Sequence, residues 1–347
     1  MDRAKKKTDR PLVLGSHTPA SPICRSGYSK AIPLLDMNDG KFPPNMIVVG
    51  SRVRVLDAAD ALKLNPRADL HELSASYKPL GRVNLVIGTF EMNGKLLPLS
   101  ILETQMGCSA QEINAKEVLS MMDVGPYNLP DGNVLNAKTL RVIRAGTCGG
   151  INAPSCEPEL AIGDVAIGSK SYGWVGSSLQ NEHGPDYVLK IATDAINNAL
   201  NGRSEIASKD LLDSVSRHLS MPYVHSSRDL IEALQCVCNA MGLRHHTGAN
   251  HTKDSLYMEA DEDQIIALRA EKGILSTEME HFGLAMLARE FTESGIPTET
   301  ALVSTVVGTI PGGSFAEPGS KEETDAKWTE TRMLIAAARA LHKLSYG

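Results

Sequence analysis

Apolar and polar positions along the chain alternate between strand-like runs and helix-like periods. Met46-Ile47-Val48-Val49 is a short apolar run closed by Gly50, which predicts a buried strand. Ser51 stands at a helix N-cap position, and Val55, Leu56, Ala59 and Leu62 follow at helical spacing. Leu85 to Met92 and Lys95 to Leu102 flank Asn93-Gly94, the favoured pair for a two-residue hairpin turn. Ser109 with Glu112 three residues on has the form of a capping box, for a helix to about Met122. The stretch 123–138 carries Pro126, Pro130 and Asp131-Gly132 and reads as an inserted loop.

Leu140 to Arg144 and Asp164 to Ile167 read as further strands. Val188, Ile191, Ala192, Ala195, Ile196 and Ala199 mark one helix, with Gly202 past its end. A nearly all-apolar helix is expected from Met279 to Phe291, a strand over Ala301 to Val307, and a closing helix from Thr324 to Leu344. Strands alternating with helices predict an α/β fold in one domain over 46–347, behind a loosely ordered segment 1–45.

Composition then narrows the classes of function. The chain has 347 residues and a net charge of −6, the wrong sign for a dedicated nucleic-acid binder. With 5 Phe, 8 Tyr and 2 Trp it offers few stacking platforms for single strands. No apolar run is long enough to span a membrane, and no apolar core follows the basic start Met1 to Arg10, so neither a membrane anchor nor a secretory signal is expected. The six Cys, at 24, 108, 148, 156, 236 and 238, form no CxxC pair, which fits reduced thiols in the cytoplasm and no zinc site. Cys236 and Cys238 are two apart on a helical stretch, face different ways and are read as core cysteines; Cys148 reads as a small buried filler. His245, His246 and His251 lack an acid or Cys at ligand spacing, so they are read as solvated loop residues and no metal is expected.

Three segments carry candidate chemistry. In Arg144-Ala145-Gly146-Thr147-Cys148-Gly149-Gly150 a strand delivers an Arg into a glycine-rich turn, whose N–H groups would form an anion nest. Gly50 and Arg54 lie just past another strand, and two such strand ends can converge on one oxyanion at the carboxyl edge of a sheet. Neither GxxxxGK[ST] nor GxGxxG is present. Glu278-Met279-Glu280 opens the apolar helix, and a carboxylate there can hold sugar hydroxyls with the Met packed on the sugar.

Taken together, these segments resemble the nucleoside phosphorylase superfamily, most closely the uridine phosphorylases. The family's Gly-x-x-x-Arg is matched by Gly50 to Arg54, its Arg-x-Gly-Thr-x-Gly by Arg144 to Gly149, its Gly-Asp-Val by Gly163-Asp164-Val165, and its Glu-Met-Glu by Glu278 to Glu280. The resemblance implies a mixed, twisted β-sheet flanked by helices. It implies phosphate binding by Gly50, Arg54, Arg144 and Thr147, with Arg82 reaching the phosphate of a neighbouring subunit. It implies ribose binding by Met279 and Glu280, and a base pocket including Tyr257 and Glu278, with Arg144 and Glu280 central to catalysis. The implied reaction is phosphorolysis of uridine or a related pyrimidine nucleoside to free base and ribose 1-phosphate, in a homodimer or larger assembly, with inorganic phosphate as co-substrate and no cofactor.

The sequence departs from the family where the base is read. Ala260 and Glu262 stand in place of the Gln and Arg that read uracil, with Gln264 and Arg269 nearby at other spacings. Val303 to Val307 lacks the Asp of purine-type members. Pro33 aligns where many members place a His, and His17 is the only earlier His. Thr104-Gln105-Met106-Gly107 replaces a more glycine-rich loop. A homologue that binds without catalysis, and a nucleoside hydrolase on the same fold, are the alternative readings.

Overall fold

The computed structural model describes residues 42–66, 84–119, 122, 124–154, 156–173, 223–253, 262–311 and 315–347. The helix expected over 188–199, most of the segment 1–45, and Pro33, Arg82, Tyr257 and Ala260 lie outside these residues. Among the described residues the strands are β1 (Asn45–Val49), β2 (Asn65–Pro66), β3 (Leu85–Met92), β4 (Lys95–Glu103), β5 (Gly125–Asn128), β6 (Val134–Ala137), β7 (Leu140–Ile151), β8 (Val165–Gly173), β9 (Tyr223–His225), β10 (His245–Thr252), β11 (Ile274–Glu278) and β12 (Thr298–Ile310). The helices are α1 (Arg52–Ala61), α2 (Cys108–Leu119), α3 (Arg228–Ala240), α4 (Glu262–Lys272), α5 (His281–Glu293) and α6 (Lys321–Tyr346).

The main sheet runs β11-β10-β8-β12-β7-β1-β4-β3-β2, with β9 on β8. It is mixed: β1 is parallel to β4 and β7, while β12 is parallel to β7 and antiparallel to β8. β11 also pairs antiparallel with the far end of β7, through Ser276↔Gly150 and Thr277↔Gly149. That pairing closes β7, β12, β8, β10 and β11 into a ring, and leaves β1, β4, β3 and β2 as an open wing. The expected α/β architecture, a mixed twisted sheet with helices on it, is what the chain adopts.

β1 shows why its sequence reads as an unbroken apolar run: both of its faces are covered. Ile47 and Val49 pack with α1, α3 and α6 through Val55, Leu234 and Met333. Met46 and Val48 pack on the other face with α2 and α5 through Leu119, Leu284 and Phe291, in a cluster that also buries Phe42. Side chains on successive strand positions point to opposite faces, so four residues feed two cores. The Asn93-Gly94 turn behaves as its residues predict, with φ of 54° and 70° and Met92 facing Lys95.

Five local expectations are corrected. The 123–138 insertion contains a hairpin, β5 with β6, whose Tyr127, Leu129 and Leu135 form their own small apolar cluster. α2 begins at Cys108, so Ser109 lies inside the helix rather than capping it. The glycine-rich segment after Arg144 is not a turn: Gly146 to Gly150 are interior residues of β7, paired with β12 through a one-residue register shift at Val307. His245, His246 and His251 belong to β10, not to a loop. Among the cysteines, Cys148 and Cys238 are buried as expected, but Cys236, also read as a core thiol, is exposed: two positions apart on α3, the pair cannot both face the core.

His281 opens α5 fully buried. The Ser226 hydroxyl donates to the Gly168 carbonyl at 2.6 Å, so at 3.1 Å from Ser226 Oγ the His281 Nε2 is the donor. Burial, then the nearby Arg144 charge, push the imidazole down to about 3. The folded chain therefore keeps His281 neutral while the unfolded chain protonates it below its ordinary value of 6.5. The sign follows: this increment of stability is complete above that value and is lost on acidification towards about 3, at about 1.4 kcal/mol per pH unit. Urea unfolding of wild type and His281→Asn at pH 7 and pH 5 should show the steeper loss in wild type; equal losses would show that the buried imidazole is not the source.

Candidate active site

The site forms where the parallel strands end and hand over to helices. β1 stops at Val49, Gly50 turns the chain, and Ser51 caps α1 by accepting from the Arg54 N–H. Arg54 is thus carried on the first turn of α1. β1 lies beside β7 with Val48 opposite Arg144, so the second guanidinium rises next to the first strand end. Gly50 sits between them: a Cβ there would lie 3.3 Å from Arg144 Nη2 and 3.4 Å from Arg54 Nη1. Two cations facing one side-chain-free point make a cradle for an oxyanion.

Each guanidinium is held from outside that cradle. Arg54 Nη2 donates to Thr147 Oγ1 at 3.2 Å, and its Nε is paired with Glu330 of α6. Arg144 Nη2 donates to Glu280 Oε2 at 2.8 Å with both side chains almost wholly buried, and Nη1 donates to the Ala145 carbonyl. Arg144 Nε is buried and has no hydrogen-bond partner among the described residues. Gly146 is required by close approach: residues two apart share a strand face, and a Cβ there would sit 3.1 Å from Arg144 Nη1. The glycine expected for a turn instead lets the Arg side chain lie flat on its own strand.

Glu280 is aimed by its neighbours. Its Oε1 accepts from the Gly107 N–H at 3.0 Å. Burial would raise its carboxyl, but the charge and hydrogen bond of Arg144, with the Gly107 N–H, hold it below its ordinary value. Glu280 is therefore an anion at neutral pH. Glu278, expected in the base pocket, is chiefly the clamp for this turn. Its Oε2 accepts from the N–H groups of Glu280 and His281, both at 2.8 Å, and Oε1 from Asn250 and Thr252 of β10. Burial, and then the Glu280 charge, push the Glu278 carboxyl up. Burial, and then the Glu278 charge, push the Cys148 thiol up, which disfavours its thiolate.

A cleft of about 440 Å³ joins these groups. Gly50, Arg54, Arg144, Thr147, Glu278, Met279 and Glu280 all line it, which brings every expected phosphate and ribose residue within the described chain into one cavity. That volume lies in the usual range for small-ligand sites. Arg82 and Tyr257 lie outside the described residues. Arg269 is elsewhere: it is buried and donates to the Pro158 carbonyl at 2.7 Å. Asp164 of the Gly-Asp-Val segment also stays out of the cleft, accepting from the Ala161 N–H and facing Arg244 and His246.

Sequence reasoning missed the far wall. Val307, Gly308, Thr309 and Ile310 from the end of β12, exposed Phe315, and Met106 and Lys253 also line the cleft. The β12 residues continue a strand that was legible only as far as Val307. Glu330 is 276 residues from Arg54 in sequence and stands in an ordinary helical pattern, so nothing local marked it.

Comparison with known proteins gives the family. Among curated proteins none matches the chain in sequence. The crystal structure of purine nucleoside phosphorylase from Toxoplasma gondii in complex with immucillin-H is similar in fold, with a TM-score of 0.54 and 16% identity, over 88% of this chain and 92% of that one. The sequence profile of the Phosphorylase superfamily matches residues 46–342, which takes in both arginines, Glu280 and Glu330. The chain therefore belongs to the Phosphorylase superfamily.

Proposed function

We propose that the protein is a nucleoside phosphorylase, a pentosyltransferase that cleaves a nucleoside with inorganic phosphate to give free base and ribose 1-phosphate. The observation that carries this reading is the single cleft shared by Arg54, Arg144 and Glu280. Phosphate lies in the cradle over Gly50, between the two guanidiniums. The ribose hydroxyls bond to the Glu280 carboxylate, and Met279 packs on the sugar. The base extends towards Val307 to Thr309 and Phe315.

In this arrangement the C1′–N bond breaks as positive charge grows on the sugar. The base takes the bonding electron pair and then a proton, and a phosphate oxygen bonds to C1′. Holding phosphate against C1′ removes the entropy cost of a bimolecular encounter. The Glu280 carboxylate bonds the 2′-OH more strongly as the ring becomes cationic, as in glycosidases. Inorganic phosphate is the co-substrate and the reaction asks for no cofactor or metal.

Pyrimidine nucleosides, uridine first, are the substrates we propose. No acid occurs in Val303 to Val307, and the β12 residues that line the cleft, Val307 to Ile310, bring no carboxylate to protonate a purine. The similar solved structure is a purine enzyme, so inosine is the control that decides this point. A homodimer or larger assembly in the cytoplasm, with Arg82 serving a neighbour's phosphate, completes the proposal. No helix among the described residues is long and apolar enough to cross a membrane.

The test is base release from uridine, thymidine and inosine, with and without phosphate. Phosphate-dependent release from uridine is expected; release without phosphate indicates a hydrolase, and no release from any nucleoside a binding homologue. Arg54→Ala should raise the KM for phosphate ~10–100-fold, the loss of one charge-assisted contact of about 1.5–3 kcal/mol, with the KM for nucleoside little changed. Glu280→Gln should lower kcat by ~10²-fold or more, the scale of one contact made chiefly in the transition state. An unchanged kcat in that variant would remove Glu280 from the reacting sugar.

A further inference from the structure

The two arginines of the cleft differ in how they are fixed. Arg144 is buried on a strand and bonded at both Nη atoms, to Glu280 and to backbone carbonyls. Arg54 has no such frame. It projects from the first turn of α1, its side chain is one-quarter exposed, and a free arginine there would lose several rotors of freedom on gripping an anion. Two contacts restrain it: Thr147 Oγ1 on Nη2, and the Glu330 carboxylate on Nε. Glu330 is itself placed by α6, whose neighbours Thr329 and Met333 are buried in the body of the protein.

We infer that Glu330 is a positioning residue for the oxyanion site: by holding Arg54 through Nε it presents the Nη edge to the point above Gly50. This inference rests on the phosphate-binding reading given above and extends it to a residue that does not line the cleft. The chemistry of the guanidinium supports the division of labour. Its five donors are fixed in a planar fork, so a bond to Nε sets the direction of both Nη groups at once. Glu330 pays an electrostatic penalty for this, since its negative charge opposes a bound anion. The two effects have opposite signs, and that makes them separable.

Glu330→Ala removes both the anchor and the charge, whereas Glu330→Gln removes the charge and keeps a carbonyl oxygen that accepts from Nε. The full-length protein is titrated calorimetrically with inorganic phosphate, and nucleoside cleavage is assayed alongside. Glu330→Ala should bind phosphate ~10-fold more weakly, the scale of one lost oriented charge-assisted bond. Glu330→Gln should bind within about threefold of wild type or more tightly, because the anchor persists while the repulsion is gone. Phosphate binding by Glu330→Ala equal to or tighter than wild type would show that only charge matters and would overturn the inference. So would Glu330→Gln as weak as the Ala variant. Wild type that binds no phosphate overturns the inference together with the anion site itself. Wild type that binds phosphate but releases no base refutes phosphorolysis alone, and the two variants' affinities still decide the role of Glu330.

Discussion

The site depends on one buried ion pair. Arg144 and Glu280 lie 136 residues apart in sequence and meet at 2.8 Å with almost no exposure. Taking both charges out of water is costly, and removing either partner from such a pair typically costs about 3–5 kcal/mol because the other is left buried alone. The pair is therefore weak evidence for stability and better evidence for geometry. It ties a guanidinium on β7 to a carboxylate at the start of α5, the two groups to which we assign the anion and the sugar. The rest of the local structure is arranged so that this contact is possible: Gly146 lets Arg144 lie flat, Gly107 fixes the other carboxylate oxygen, and Glu278 holds the turn.

Charge balance follows from the same arrangement. Each guanidinium has its own carboxylate, Glu330 for Arg54 and Glu280 for Arg144. Two like charges can then face one point without an anion between them. On the proposed reading, an oxyanion entering above Gly50 meets guanidinium groups that are already oriented. Pre-oriented dipoles and charges do most of their work when they need not reorganise during the reaction.

Much of this was readable along the chain, and the failures have definite causes. Strand β1, the Asn93-Gly94 hairpin and the helix through Phe291 are governed by local periodicity and turn chemistry, and they lie where those rules put them. The Arg144 segment was found by composition but given the wrong backbone, because glycine serves equally for a turn and for close packing within a strand. Pairing with β12 and β11, both more than 100 residues away, settles which use applies. Histidines of β10 looked like loop residues because alternation is weak in a half-buried strand. Glu330 and the β12 wall were invisible for a simpler reason: a side chain's partner across the fold leaves no trace in its sequence neighbours.

The strand ring has a mechanical consequence. Arg144 stands on β7 and Glu280 follows β11, and these two strands pair directly. The separation between Arg144 and Glu280 is thus set inside a closed hydrogen-bonded hoop, where strands cannot slide past one another without breaking several ladders at once. Arg54 belongs to the open wing, outside that hoop. It is tied to the cleft by side-chain bonds, to Thr147 on β7 and to Glu330 on α6, so one guanidinium is placed by a strand ladder and the other by its partners.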